Sequence, residues 1–379
     1  MKIAIINTLP IPSGAASVNR LLSYAKGMVE IGDKITVLSS ACSDFKTGEV
    51  NGVNYINLGK GNGTLNLLFS LFRIIKGLWK TKYDAVILIS NSLLLIYPLA
   101  IVCKLRGIKF LQEKSEFPFV LMKKGLLARI WAHFYTSTTY KLFDGLIVMT
   151  KPLMDYFTTK VRKDCKLIEV PMTVDFDRFS IEKSKELKHG NYIAYCGNMA
   201  GNKDGVMNLI EAFDIASKQI QNVNLLLIGG STTPKDLVTI KDFAKNKGDG
   251  RILFYGKATR EEIPNLLVNA KALALARPSS LQSTGGFPTK LGEYLATSNP
   301  VVVTAVGDIP RFLDETNSFI VEPDNNKAFA ERLVKIFGDY TVAQKIGMEG
   351  RKVAEQNFNY KVQSPRIHNF IKELLNDYE

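Results

Sequence analysis

Cysteine and histidine are scarce in this sequence. Neither residue type shows the spacing of a disulfide framework or of a zinc site. An apolar strand pattern begins directly after Met1 and Lys2, where a secretory leader would need an apolar run and a cleavage site. We therefore expect a protein of the reducing cytoplasm without a histidine-built metal site. The few residues in question are Cys42, Cys103, Cys165, Cys196, His133, His189 and His368.

Apolar runs long enough to cross a bilayer are also missing. The segment Leu65 to Trp79 contains Arg73 and Lys76 and is shorter than the roughly 20 residues that a spanning helix needs. The segment Ala85 to Cys103 is longer, but serine and asparagine at 90–92 and a proline interrupt it. The first segment predicts an amphipathic helix, and the second predicts a strand followed by a buried helix.

Two common nucleotide-binding motifs are absent. The sequence has no G-x-G-x-x-G fingerprint and no Walker A loop, and it lacks the motifs of nucleic-acid-binding modules. Its net charge of +13 is uneven, because residues 1–186 hold 26 Lys and Arg against 15 Asp and Glu, whereas the remainder holds 23 against 21. A basic first half indicates an anionic lipid surface or a phosphorylated substrate, and not a nucleic acid.

The order of elements predicts an α/β fold. A strand, a Pro/Gly loop, a helix and a second strand follow one another within the first 39 residues, which is a βαβ unit and implies a parallel sheet. Gly14 and Ala15 stand just before the helix, at the sheet edge where α/β proteins bind ligands. At 379 residues the chain is long enough for two domains.

A polar tract at 182–190 divides the chain into two runs of α/β units. We expect a first domain over 1–175, completed by a last helix at 359–379 that crosses back, and a second domain over 176–358. In the second run, Gly197, Lys203 and Gly229 follow strand ends directly and precede helices, which favours phosphate binding by a nearby lysine and exposed backbone.

The stretch from Arg277 to Leu313 carries the strongest functional signal. It predicts a helix that begins near Pro288 after a Ser/Gly-rich loop. The unpaired N–H groups at the N-terminus of this helix could bind an anion. Lys290 lies in the first turn, which the helix dipole disfavours unless an anion is near, and Glu293 shares its face. An ordinary strand, turn and helix with a solvated Lys-Glu pair is the alternative. The proposed phosphate seat consists of Gly285, Gly286, Phe287, Pro288 and Thr289.

Two carboxylates of the first half are candidate catalytic groups. Glu113 and Glu116 flank Lys114 at a predicted strand end, where a carboxylate can orient or deprotonate an acceptor hydroxyl. Structural use of either residue is the competing explanation. Two basic and aromatic segments, 65–82 and Leu121 to Phe143, are either helices that lie on an anionic bilayer or core-facing helices with solvated basic edges.

Taken together, these segments resemble the family-4 glycosyltransferases of GT-B architecture, of the type that builds bacterial surface polysaccharides. The resemblance rests on the Gly14 loop, the linker VPMTVDFDRF, the strand and loop YCGNMAGNKDG, and the segments LLLIGG, FYGKATREEI and 277–313, in the family's order over nearly the full length. It implies two facing Rossmann-like domains with a nucleotide-sugar in the cleft. The first domain would bind the acceptor and the second the donor.

The resemblance also implies residue roles. Glu293 would bind the donor ribose, Lys257 would lie by the base, and Arg277 with 279–286 would border the sugar. The family's first motif glutamate falls on Gly285, and Asn198 stands where an arginine is common, so Lys203 and Lys290 are the expected diphosphate cations and tentative catalytic residues. Transfer would retain the anomeric configuration without a tightly bound metal or cofactor.

We therefore expect a cytoplasmic enzyme, peripheral on the inner face of the cell membrane, that transfers a sugar to a lipid-linked glycan or similar acceptor. Transfer to a soluble small molecule, a donor-binding pseudoenzyme of the same fold, and a nucleotide-sugar epimerase are the alternatives. The base, the sugar and the linkage are open at this point.

Overall fold

The computed structural model of the protein describes residues 1–61, 63–118, 126–184 and 188–376. At 126–129 and 131 it describes the backbone only. The chain folds into two compact units. Unit 1 comprises Met1–Thr173 and Tyr360–Glu379, and unit 2 comprises Val174–Asn359. Each unit is an α/β sandwich built on a mainly parallel sheet, which confirms the predicted fold class.

Unit 1 is built on an eight-stranded sheet with the order β3-β4-β2-β1-β5-β6-β7-β8. Seven of its strands run parallel, and β3 pairs antiparallel with β4, a short hairpin that the sequence analysis did not predict. The strands are β1 (Lys2–Asn7), β2 (Lys34–Ser39), β3 (Thr47–Val50), β4 (Val53–Asn57), β5 (Ala85–Ile89), β6 (Lys109–Lys114), β7 (Gly145–Val148) and β8 (Lys166–Glu169). The helices between them are α1 (Ala16–Glu30), α2 (Gly63–Lys80), α3 (Leu93–Arg106), α4 (Leu126–Thr138) and α5 (Lys151–Thr158).

Unit 2 is built on a six-stranded parallel sheet with the order β11-β10-β9-β12-β13-β14. Its strands are β9 (Asn191–Cys196), β10 (Val223–Ile228), β11 (Ile252–Gly256), β12 (Ala272–Leu275), β13 (Val301–Thr304) and β14 (Phe319–Val321). Its helices are α6 (Val206–Ser217), α7 (Pro234–Ala244), α8 (Glu262–Val268), α9 (Leu281–Gly285), α10 (Thr289–Ala296), α11 (Asn326–Gly338) and α12 (Tyr340–Phe358).

The last helix, α13 (Tyr360–Asn376), returns to unit 1 and packs against α1, as expected from the sequence. Gly27 allows this close packing, because a Cβ atom at that position would lie 2.7 Å from the Ser364 Cβ. Ile367 and Ile371 of α13 join the core of unit 1, which includes Ile3 and Ile5 of the central strand. The C-terminal segment is therefore part of the first hydrophobic core.

The helix after β5 differs from the prediction. We expected a buried helix here, but α3 is buried on one face only and exposes Leu94, Ile101 and Leu105. Both α2 and α3 pack on unit 1 through a single apolar stripe. Among the helices that the structure describes, none has the length and apolar character that crossing a bilayer requires.

Candidate active site

The predicted donor loops of unit 2 meet at the point where its sheet reverses strand order. The chain passes from β9 outward to β10 and β11 and then returns to β12, which pairs with β9 on the other side. Loop 197–205 follows β9, and loop 276–288 follows β12. In open α/β sheets, ligands bind in the crevice between two such loops.

These two loops are in contact. Gly205 has a left-handed φ of +65°, and a Cβ atom there would collide with the carbonyl oxygen of Ala276. The Arg277 Nε donates a hydrogen bond of 3.3 Å to the carbonyl of Lys203. Because glycine lacks the Cβ atom, the backbone of one loop can lie directly against the other.

A third loop, which follows β10, packs against the first. Gly229 has a φ of +127°, and a Cβ atom there would run into the Gly197 carbonyl oxygen. The Asn198 Oδ1 accepts hydrogen bonds from the backbone N–H groups of Ala200 at 3.0 Å and Thr232 at 3.3 Å. Asn198 therefore ties the two loops together, where an arginine would project a charge.

The proposed phosphate seat is more ordered than a Ser/Gly loop. Residues Leu281–Gly285 form the short helix α9, which begins with a capping box between Ser280 and Ser283. Pro288 directly precedes α10, so the first helical residue is Thr289. The Phe287 ring packs edge-on against Phe312 and at a tilt against Phe358, at centroid distances of 5.8 and 5.3 Å. Phe287 therefore contributes packing, and only its backbone borders the loop.

The Lys290 ammonium has an anionic partner inside the protein. It forms an ion pair with Asp204 and lies 3.3 Å from the Tyr195 hydroxyl and 4.8 Å from the centre of that ring. Gly197 leaves room for this ammonium, because a Cβ atom there would lie against Lys290 Nζ. Asp204 thus supplies the negative charge that the position of Lys290 in the first turn requires.

Asp204 is shared between two cations. Its Oδ1 lies 3.6 Å from the Arg277 Nε, and its Oδ2 contacts Lys290 and, at 3.1 Å, the Tyr195 hydroxyl. Burial alone would raise the pKa of Asp204, but Lys290 and then Arg277 outweigh this effect and lower it. The carboxylate is therefore ionised at neutral pH and lies between the two cations.

Glu293 lies one turn after Lys290 and is held by arginines. Its Oε1 lies 3.3 Å from Arg178 Nη1, and Arg178 Nη2 donates to the Arg260 carbonyl at 2.8 Å. Burial raises the pKa of Glu293, and the charges of Arg178, Arg260 and Lys290 oppose that rise. A carboxylate fixed in this way can accept hydrogen bonds from a vicinal diol such as a ribose.

Lys203 and Lys257 are exposed at the same sheet edge. Lys203 follows β9 in loop 197–205, and Lys257 follows β11 with its side chain over Gly230. Their role in binding a diphosphate stays a prediction. Within the described residues no group of three His, Cys, Asp or Glu side chains is arranged to hold a metal ion.

In unit 1, Glu113 is buried in a polar network at the end of β6. Arg20 Nε donates to Glu113 Oε1 at 2.6 Å, and the Tyr24 hydroxyl donates to Oε2 at 2.8 Å. Arg20 also donates to the carbonyls of Val170, at 2.9 Å, and Pro171. Both carboxylate oxygens are thus engaged by α1, an arrangement that favours the structural explanation for Glu113.

Lys114 and Glu116 lie beside this network. The Lys114 ammonium is buried, donates to Asn91 Oδ1 at 2.5 Å, and lies 5.4 Å from the centre of the Tyr140 ring. Burial lowers the pKa of Lys114 to about 7, against the charge of Glu116. Glu116 is more accessible than Glu113, and its catalytic role stays a prediction.

Gly14 and Ala15 lie in the loop after β1, next to the other switch point. β1 pairs with β2 on one side and with β5 on the other, so the loops after β1 and β5 border one crevice. Gly14 is exposed, with no atom within 4 Å of a Cβ atom built there. A donor-binding role for Gly14 and Ala15 stays a prediction.

Two residues of the site were missed by the sequence analysis. Asp204 belongs to the quoted loop YCGNMAGNKDG, directly after Lys203, and Arg178 belongs to the quoted linker VPMTVDFDRF. A search for an acidic partner of Lys290 and a basic partner of Glu293 could have proposed Asp204 and Arg178. Their partners lie 86 and 115 residues away, so spacing gives no direct indication.

Comparisons with known proteins concern the family and the fold. Residues 190–339, which include loops 197–205 and 276–288 and helix α10, match the family model described as glycosyl transferases group 1. Over 214 residues the chain is 26% identical to the capsular polysaccharide biosynthesis glycosyltransferase CapM of Staphylococcus aureus, and the match covers 54% of this chain and 54% of that relative. The chain thus spans about half the length of this curated relative.

Solved structures share the fold over nearly the whole chain. The sucrose-phosphate synthase of Thermosynechococcus elongatus is 16% identical with a TM-score of 0.76, and the match covers 99% of each chain. HepE of Anabaena, solved in complex with UDP-glucose, is 16% identical with a TM-score of 0.75, over 98% of this chain and 100% of that one. Residues 190–339 therefore match a glycosyl transferases group 1 domain, within a chain that has the two-unit GT-B fold.

Proposed function

We propose that this protein transfers a sugar from a nucleotide-diphosphate-sugar to a glycan or lipid-linked glycan acceptor in the synthesis of a cell-surface polysaccharide, with retention of the anomeric configuration. Unit 2 binds the donor, and unit 1 binds the acceptor. The proposal for the acceptor is supported by the name of the CapM relative, a capsular polysaccharide enzyme.

One observation carries the donor assignment. Lys290 and Glu293 lie one turn apart on α10, and α10 follows the loop at the switch point of the unit 2 sheet. A cation beside loop 197–205 suits a diphosphate, and a carboxylate one turn later suits a ribose diol. This combination fits a nucleoside diphosphate better than it fits a free sugar or a free phosphate.

The charges also fit the leaving group of the reaction. As the bond between sugar and phosphate breaks, negative charge develops on the diphosphate. Lys290 and Arg277, which both lie beside Asp204, would contribute positive potential where that charge develops. The N-terminus of α10 and Lys203 add to the same potential. We therefore expect transfer to proceed without a tightly bound metal.

A binding experiment tests the donor site. Thermal shift with UDP, GDP and ADP should identify one nucleotide that stabilises the protein, by roughly 2.7 kcal/mol at 100 times its dissociation constant. Lys290→Ala should weaken binding of that diphosphate more than binding of the matching nucleoside. If affinity for all three nucleotides is absent, or if Lys290→Ala leaves affinity unchanged while Lys203→Ala abolishes it, the assignment of Lys290 is wrong.

A second function is favoured by the glycine at 285. The family motif has a carboxylate at this position, and here Gly285 ends the short helix α9 without a side chain. A pseudoenzyme that binds a donor and does not transfer its sugar would show this departure. Such a protein would bind the nucleotide in the thermal shift and release no nucleoside diphosphate from any sugar nucleotide in a panel with acceptor glycans.

Two further measurements define the reaction. Proton NMR of the product gives the anomeric configuration, and an inverted product would contradict the retaining mechanism. Turnover with a lipid-linked glycan against a soluble sugar acceptor separates surface-polysaccharide synthesis from transfer to a small molecule. The cytoplasmic location, on the inner face of the cell membrane, stays a prediction.

A further inference from the structure

Helix α2 of unit 1 exposes an apolar stripe to solvent. Its outward residues recur every three or four positions, so that they lie on one side of the helix. They include Leu65 and Phe72, which are 82% and 67% exposed. The opposite side, with Leu71, Ile74 and Leu78, is buried against the unit. The outward stripe consists of Leu65, Leu68, Phe69, Phe72 and Trp79.

Helix α3 extends this stripe. It packs beside α2 and exposes Ile101 and Leu105, the latter at 70%. The guanidinium of Arg106 lies over the Trp79 ring at 5.1 Å from its centre and so connects the two helices. We call the exposed apolar residues of α2 and α3, with the basic residues among them, the apolar-basic face.

The charges on this face have one sign. Arg73 lies 4.2 Å and Lys60 lies 4.9 Å from the centre of the Phe69 ring, so that basic groups stand directly on the exposed aromatic surface. The segments 59–83 and 90–112, which include both helices, contain no aspartate or glutamate. The other cations of the two helices and the residues next to them are Lys76, Lys80, Lys82 and Lys104.

We propose that the apolar-basic face docks on an anionic lipid bilayer. The apolar side chains enter the boundary between headgroups and acyl chains, while the Lys and Arg side chains contact the anionic headgroups. Each basic side chain near such a surface contributes about a fivefold factor in affinity. The face includes α3, which the sequence predicted to be buried, and it does not depend on the basic segment at 121–143.

Charge complementarity selects this occupant over a second copy of the chain. In a symmetric dimer, the same patch would face itself, and every cation of one copy would oppose cations of the other without a carboxylate between them. An anionic bilayer supplies both an apolar phase and a surface of opposite charge. Exposed aromatic residues with basic groups beside them match the composition of helices that lie in the membrane interface.

The test is sedimentation of the full-length protein with vesicles. Phosphatidylcholine vesicles with about 30% phosphatidylglycerol should bind the protein, and pure phosphatidylcholine vesicles should bind it at least tenfold more weakly. Binding to the anionic vesicles should fall as salt is raised from low to high concentration. Phe72→Ser with Leu105→Ser should lower affinity at least tenfold, and Lys76→Gln with Lys80→Gln should lower it by a similar factor.

The control is Val238→Ser, at an exposed apolar position of unit 2, which should bind as the wild type does. Since all changed residues are exposed, each variant should keep the thermal midpoint of the wild type. Absence of binding to anionic vesicles would overturn the proposal, and so would binding that the paired variants leave unchanged. A dimer that Phe72→Ser disrupts, without any vesicle binding, would also overturn it and would assign the face to a second copy. No donor or acceptor is present, so the result is independent of the proposed reaction.

Discussion

The Lys290 ammonium and the Asp204 carboxylate form an ion pair between two loops of unit 2, across 86 residues of sequence. Arg277 shares that carboxylate, and the Tyr195 hydroxyl lies beside both charges. Asp204 places a negative charge beside the two cations that we assign to a donor diphosphate. Binding would then add an anion to a site whose charge is already partly balanced.

Asp204→Asn should separate these two roles. The change leaves Lys290 and Arg277 without their carboxylate, so we expect the free energy of unfolding to fall by about 3 kcal/mol. The nucleoside diphosphate selected by the thermal-shift panel should stabilise Asp204→Asn more than it stabilises the wild type, because it restores the missing negative charge. Chemical denaturation with and without the nucleotide measures both effects.

Asp308→Asn is the matched control, since Asp308 is a buried carboxylate of the same unit, paired with Arg311. It should change the stability of the protein without changing the increment that the nucleotide provides. An equal nucleotide increment in the wild type and in Asp204→Asn would mean that the diphosphate does not meet Lys290 or Arg277.

Two adjacent glycines provide a test of the loop packing. Gly229→Ala places a Cβ atom on the Gly197 carbonyl at a φ of +127°, so we expect a loss of about 1–3 kcal/mol in the free energy of unfolding and weaker nucleotide binding. Gly230→Ala meets only the Lys257 side chain, at 3.4 Å, and should cost much less. Urea denaturation and nucleotide titration of both variants give the comparison. Similar losses in the two variants would contradict the role of close backbone contact.

The sequence predicted most of the fold because its elements alternate with clear apolar periods. The last helix, expected within 359–379, is observed at Tyr360–Asn376, and the one expected to begin near Pro288 is observed at Thr289–Ala296. The β3 and β4 hairpin was missed, because its four-residue edge strand exposes three of its residues and has no apolar alternation. A local pattern also could not show that α3 would bury only one side.

The site was predicted in part. Helix α10 with Lys290 and Glu293 followed from local sequence, because a proline, a turn and a helix are neighbours in the chain. The partners of these residues, Asp204 and Arg178, are brought to them by the order of strands in the sheet. The sequence could indicate that Lys290 needs an anion, but a single sequence does not show which acid the fold supplies. The basic segment at 121–143 lies partly outside the described residues. Whether it lies on an anionic bilayer or against the core therefore stays a prediction with two alternatives.

Glu113→Gln should distinguish a structural role from a catalytic one. The change leaves the buried Arg20 without its carboxylate, so the free energy of unfolding should fall by about 3 kcal/mol. Turnover by the fraction that remains folded should be near that of the wild type. Glu116→Gln is the comparison, because this side chain is more accessible and should affect stability little. A loss of turnover in Glu113→Gln without a loss of stability would instead make Glu113 a catalytic group.

The burial of Lys114 should make the free energy of unfolding depend on pH. Burial lowers the pKa of Lys114 to about 7 in the folded protein, whereas in the unfolded chain the pKa keeps its ordinary value of 10.5. Between these values the unfolded state binds more protons, so the free energy of unfolding should rise with pH above 7, by at most about 1.4 kcal/mol per pH unit. Below pH 7 the full cost of burying the ammonium remains.

Lys114→Met should therefore be more stable than the wild type at pH 7 by about 1–3 kcal/mol, and the difference should shrink as pH rises toward 8.5. Taking the difference between the two proteins cancels the titration of other groups. Lys151→Met, at an exposed lysine of the same unit, should show a constant difference. Denaturation at pH 7.0, 7.8 and 8.5 is sufficient, and a difference that does not vary with pH would rule out a depressed pKa at Lys114.

Arg178 should control the ionisation of Glu293 and, through it, donor binding. Burial raises the pKa of Glu293, and Arg178 is the largest of the charges that oppose this rise. Arg178→Gln removes that opposition, so the pKa of Glu293 should rise further and its carboxylate should be lost at a higher pH. If the ionised carboxylate accepts hydrogen bonds from the donor ribose, nucleotide affinity should fall when the carboxylate is protonated. As the pH is lowered, this fall should begin at a higher pH in the variant than in the wild type.

Isothermal titration of the selected nucleotide between pH 5 and 8 measures this shift. Arg311→Gln is the matched control, because it removes an arginine of unit 2 that pairs with Asp308 and should leave the pH profile in place. The 2′-deoxy form of the nucleotide should bind more weakly to the wild type and lose less of its affinity in acid, since it lacks one of the hydroxyls that Glu293 would hold. If affinity falls at the same acidic pH in the wild type and in Arg178→Gln, Glu293 is not the titrating group. If the deoxynucleotide binds as well as the parent nucleotide, Glu293 does not contact the ribose.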